Sequence, residues 1–115
     1  MSTKRETGWH AYEDGVTLGK EGSERGVIRL DLEHSAGVRI TVEEAGYQPW
    51  SITCGVYGCM VHTIFFRERE EAFVAAEKIK RELLKIARLQ ERVGSRPDPD
   101  WSEVGEACRK FVDRW

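Results

Sequence analysis

The chain has 115 residues, 40% of them apolar and 33% charged, with a formal charge of −2. That length suits one domain with a real core, and the composition excludes an intrinsically disordered chain. With a pI near 5.9, it also lacks the overall basic footprint of a duplex-binding domain, so no nucleic-acid partner is expected.

Residues 1–7 carry no apolar run of a secretory leader. No apolar segment nears the about 20 residues a membrane span needs. The expectation is a cytoplasmic protein without a membrane partner. Its three cysteines are an odd number, so reduced thiols are expected.

In WHAYEDGVTL the Asp14-Gly15 pair signals a tight hairpin, with Trp9, Ala11, Val16 and Leu18 on one face. GKEGSERG reads as a connection. VIRLDLE then sets Ile28, Leu30 and Leu32 inward against Arg29, Asp31 and Glu33 outward. After the turn HSAG, VRITVEE repeats the pattern, with Val38, Ile40 and Val42 opposed to Arg39, Thr41 and Glu43. Such alternation predicts an antiparallel sheet with one wet face. Pro49 cannot donate to a ladder and marks an edge or a strand start. Met60 to Phe66 is apolar on both faces and reads as a more buried strand.

From about residue 70 the period becomes helical. Phe73, Ala76, Ile79, Leu83, Ile86 and Val93 recur on one stripe, acids lead and bases trail, and Gly94 is a stop. SRPDPD is a stiff polar joint over 95–100. The last segment, 101–115, places Trp101, Val104, Cys108, Phe111 and Trp115 on a second apolar stripe. There are no internal repeats.

The stretch SITCGVYGCMVHTIFF brings two cysteines and a histidine close in sequence. A four-residue hairpin loop sets Cys54 opposite Cys59 but turns His62 to the other face. A three-residue loop pairing Cys54 with Gly58 leaves Cys54 and His62 on one face but roughly 13 Å apart along the strand. Neither register gathers three ligands within the about 2.0–2.3 Å of zinc coordination, so no metal and no cofactor are expected. A reactive thiol needs a nearby cation or helix N-terminus, and the neighbours here are Gly, Val, Tyr and Met. His62 has no acid or nucleophile partner in sequence, so a core ring satisfied by neighbours is the plainer reading.

GKEGSERG precedes a strand and lacks the helix dipole of a phosphate loop. The basic residues of the long helix are interrupted by Glu77, Glu82 and Glu91 and read as a solvated face.

The expected fold is α+β, one domain over 1–115. A meandering antiparallel sheet of about five strands fills 1–66. A long helix over 70–94 packs on one face, and a short amphipathic helix follows at 101–115. The expected function is a non-catalytic interaction module that self-associates as a homodimer, using Trp101, Val104, Phe111 and Trp115. The alternative is a ligand-binding or enzymatic domain with a pocket around His62, Trp50, Tyr57 and Tyr47. No other protein partner is legible.

Overall fold

Alternating side chains build the sheet. In the computed structural model, which describes residues 8–115, strands β2 (Val27–His34), β3 (Val38–Glu44), β4 (Trp50–Val56) and β5 (Met60–Phe66) follow one another as an antiparallel meander. A three-residue strand β1 (Trp9–Ala11) flanks β2, giving the order β1-β2-β3-β4-β5. The pairs Val42↔Ile52, Ile40↔Cys54 and Ile52↔Ile64 put the branched residues of three strands on one face. Val38, Ile40, Val42 and Ile52 there are fully buried.

Helix α1 (Arg69–Gly94) covers that face. Its contact stripe mixes Ala72, Ala75, Ala76 and Ala87 with Ile79, Leu83, Ile86 and Val93, all buried. The alanines let the helix axis approach the sheet, while Ile79 and Leu83 fill the space between strands. Phe73, at the first turn, is half-buried and meets Trp50 edge-on at 5.8 Å. Helix α2 (Ser102–Arg114) then folds back on the same layer, burying Val104, Cys108 and Phe111. Asp100 Oδ1 accepts from the Ser102 amide at 3.0 Å at its start, a local cap for otherwise unpaired N–H groups. At its end Trp115 Nε1 donates to Glu82 of α1 at 3.2 Å and Arg114 pairs with the same carboxylate at 2.9 Å. These contacts hold α2 on its own chain.

Three local expectations are corrected. Asp14-Gly15 does not close a hairpin. Glu13, Asp14 and Gly15 all have positive φ (46°, 57° and 84°), and Tyr12–Gly15 coils as a 3-10 turn. The amides of Val16, Leu18 and Lys20 donate to the carbonyls of Glu13, Gly15 and Thr17 and continue the coil. β1 therefore pairs with β2, and Val16 (58%) and Leu18 (49%) are exposed instead of sharing a face with Trp9 and Ala11.

Ile28 is the second. The register slips between Ile28 and Leu30, so Ile28 stands opposite Glu43 on the face away from α1, where it is buried. A bulge of this kind sends one residue to the other side.

The third concerns β5. It is the last strand of the sheet, not a central one, because the chain leaves it for α1. Only Ile64 is buried along its length. Pro49 directly precedes β4, the strand start its missing N–H favours. The leader expectation for residues 1–7 lies outside the described residues.

Candidate functional site

The four residues expected to share a pocket do not assemble. Trp50 and His62 lie on the helix-covered face, at opposite ends of the β4–β5 ladder: Trp50 pairs with Phe66, His62 with Cys54. Tyr47 sits exposed in the β3–β4 connection, and Tyr57 is exposed at the β4–β5 turn. Tyr57 instead reaches the open face, where its hydroxyl donates to Glu33. The turn explains the divergence. Residues 57–59 form a three-residue loop closed by Cys59 N–H to Val56 O at 2.9 Å. Val56 is therefore paired with Met60, and Cys54 stands directly opposite His62 rather than four residues from it.

His62 is held under α2. Its ring meets Phe111 edge-on at 6.2 Å, and among the described residues its Nε2 is the one buried side-chain N or O without a hydrogen-bond partner. The ring expected in the core is half-buried, and no neighbour satisfies that nitrogen. The Cys54 sulfur points at the His62 carbonyl at 3.6 Å, and burial pushes its thiol up to about 12. Cys54 is thus a packing residue. Cys59 sits not with Cys54 but beside Cys108 of α2, the two sulfurs 2.7 Å apart.

The open face carries the larger polar assembly. Asp31, only 2% exposed, accepts from four donors: Thr17 Oγ1 at 2.8 Å, Thr41 Oγ1 at 3.0 Å, and Arg39 through Nε at 3.0 Å and Nη2 at 2.8 Å. The fork of two bonds holds Arg39 still further above its already high pKa. Tyr12 lies over the guanidinium, 3.5 Å from carbon to ring centroid. Glu43, also 2% exposed, accepts from the backbone amides of Glu24 and Gly26, both at 3.1 Å. A Cβ at Gly22 would meet the Glu43 carboxyl group, so glycine lets the loop close over that carboxylate without displacing it. The segment between the 3-10 turn and β2 is thereby laced onto the sheet.

A groove of about 700 Å³ runs over this face, lined in part by Thr17, Ile28, Arg39, Thr41, Thr53 and Val61. Its charged groups already serve one another or the backbone, and the described residues contain no group of three or more His, Cys, Asp or Glu able to hold a metal ion.

β5 completes the inventory. Val61 is 78% and Phe65 49% exposed, both on the open face, flanking Thr63. No other strand pairs with its outer side among the described residues. The strand has no charged residue, no proline and no register shift against β4. Natural edge strands are usually blunted by one of these devices.

Of the residues expected at an interface, Val104 and Phe111 are buried within their own chain, Trp115 is half-buried, and Trp101 is exposed at 48%. The sequence reading missed the Asp31–Arg39 pair, although both residues stand in outward register on strands joined by a three-residue turn. It missed the β5 edge because an apolar run reads as buried whichever strands flank it. No helix among the described residues is long and apolar enough to cross a membrane. Comparisons with protein families, with curated proteins and with solved structures find no match for this chain.

Proposed function

We propose that the chain is a non-catalytic interaction module that self-associates through β5, two copies joining their sheets edge to edge as a homodimer. The observation that carries this reading is the uncharged, bulge-free outer strand with Val61 and Phe65 exposed on one face, either side of Thr63. The strand is complementary to itself. An antiparallel pair centred on Thr63 sets Val61 of each copy opposite Phe65 of the other, and His62 opposite Ile64. Cross-strand pairs of an aromatic with a β-branched residue each contribute roughly 0.2–1 kcal/mol, and no like charges meet. The helix stripe first expected to join the copies is mostly engaged with its own α1 and β5, which favours the edge over α2. A cytoplasmic setting is part of the proposal, and three free thiols suit it.

Light scattering across a concentration series tests it. The full chain is expected to run as a dimer, and Phe65→Lys as a monomer with an unchanged circular dichroism spectrum. A wild-type chain that stays monomeric at high concentration removes the proposal.

A second reading, small-molecule binding, rests on the groove over the open face, which apolar Ile28 and Val61 line together with Arg39. Thr53→Trp would fill the groove floor. Loss of an identified ligand with the dimer intact would favour this reading.

A further inference from the structure

We propose that Cys59 and Cys108 form a reversible intrachain disulfide that fastens α2 to the β4–β5 turn. The three cysteines allow three pairings, and the fold brings one of them together. Cys54 is enclosed between β3 and β5 under α1, its sulfur turned to the His62 carbonyl. Cys59 and Cys108 lie 49 residues apart in sequence, on a turn and a helix, with sulfurs at 2.7 Å. Ordinary contact between two sulfurs is wider than this, and a bond needs them at about 2.05 Å. A small shift of either side chain joins them.

Accessibility orders the chemistry. Cys59 is half-buried and open to a small reagent, whereas Cys108 is 9% exposed. The oxidant is a small-molecule disulfide of the glutathione type. The Cys59 thiolate attacks one of its sulfurs, forming a mixed disulfide and releasing one thiolate. Cys108 gives its proton to solvent and attacks the Cys59 sulfur, and the second half of the reagent leaves as thiolate. Two protein thiols become one disulfide and the reagent becomes two thiols, so two electrons and two protons pass from protein to reagent. Burial, then the contact with Cys59, pushes the Cys108 thiol up to about 12. The second exchange therefore quickens as pH rises.

The consequence is mechanical. Without the bond, α2 is held by Val104, Phe111 and the Glu82 contacts, beyond an exposed joint. The bond closes the loop containing α1 and pins α2 over His62.

The test equilibrates the full-length chain with reduced and oxidised glutathione, followed by intact mass, non-reducing peptide mapping and amide exchange. Expected are a loss of two hydrogens, a linked Cys59–Cys108 peptide, and exchange in residues 102–114 slowed by about tenfold. All three reverse with dithiothreitol. Cys54→Ser should keep the link, and Cys59→Ser should lose it. A link through Cys54, a link predominantly between chains, or a glutathione adduct persisting on Cys59 overturns the proposal. Because the mass and the map identify an intrachain bond, the outcome does not depend on whether copies pair through β5.

Discussion

The two faces of this sheet are built from the same strands by opposite means. The face under α1 is held by branched apolar side chains on a helix stripe, and Ile40, Ile52, Ile79 and Leu83 there are fully buried. The open face is polar in sequence, yet Asp31, Thr41, Glu43 and Ser51 on it are nearly as inaccessible. What covers them is hydrogen-bonded loop, Arg39 and Tyr12 rather than a helix. A polar residue in outward register is thus not necessarily a wet one. The difference matters energetically, because an apolar face tolerates approximate partners whereas a buried carboxylate has to find every donor.

The largest expected effect breaks the apolar face. Ile52→Ala removes a fully buried side chain between Val42 and Ile64 and should cost about 2–5 kcal/mol in chemical denaturation, with little change in slope. Its neighbour Thr53, on the open face, should lose far less on substitution by alanine. Equal losses at 52 and 53 would erase the distinction between the faces.

Asp31→Ala attacks the open face at its centre. It leaves the Arg39 guanidinium and the hydroxyls of Thr17 and Thr41 without their shared acceptor. Removing one member of a buried ion pair costs about 3–5 kcal/mol. Arg39 is one-third exposed and can turn to water, so a loss of about 2–3 kcal/mol is expected here. Residues 12–25 should also exchange amide hydrogens faster, since Thr17 loses its anchor. A variant with unchanged stability would show that the open face is held by Glu43 alone.

How far these faces were legible follows from the range over which each is determined. The helix side is local pattern: period two in β2 and β3, period 3.6 in α1, and apart from Ile28 both stripes were readable residue by residue. The antiparallel meander follows from short connections such as HSAG. The open face depends on where a loop lands. Asp14-Gly15 is a sound hairpin signal, but the positive φ at Glu13 and Asp14 starts the turn earlier, and Thr17 and Tyr12 then reach Asp31 and Arg39. The slip at Ile28 depends on the partner strand and leaves no mark in VIRLDLE. Cys59 and Cys108 meet only because α2 returns across β5, and no spacing rule connects residues so far apart. The candidate pocket failed for a simpler reason: Trp50 and His62 share the covered face but stand four residue pairs apart along the β4–β5 ladder, and Tyr57 turns from the loop to the open face.

Alkaline pH, compared with and without the Cys54 thiol, probes the covered face. Burial raises the Cys54 thiol from 9.0 to about 12. A pKa higher in the folded state means that the folded chain holds its proton more tightly. The corresponding stability is complete below pH 9 and is lost as pH rises toward 12. The loss should reach about 1–1.5 kcal/mol at pH 10. Cys54→Ala should flatten this part of the pH profile whatever it does to stability at neutral pH. An unaltered profile would mean that Cys54 meets water readily.

The smallest effect is expected where the covered face contains its own exception. The half-buried His62 ring stands edge-on to Phe111, but Nε2 is buried without a partner. An unsatisfied buried polar atom costs about 1–3 kcal/mol, against which the ring's packing contributes. Phenylalanine keeps a flat ring in contact with Phe111 and removes the unsatisfied nitrogen, at the expense of slightly more volume. His62→Phe should therefore leave the fold unchanged and raise stability by up to about 1 kcal/mol. His62→Ala should lose about 1–3 kcal/mol, because the ring contact goes as well. The pair of variants separates shape from polarity at one position. A clear loss on His62→Phe, with no structural change, would mean that the nitrogen makes a stabilising bond when α2 moves. That result would turn His62 from an exception within the core into a group that works in an opened state.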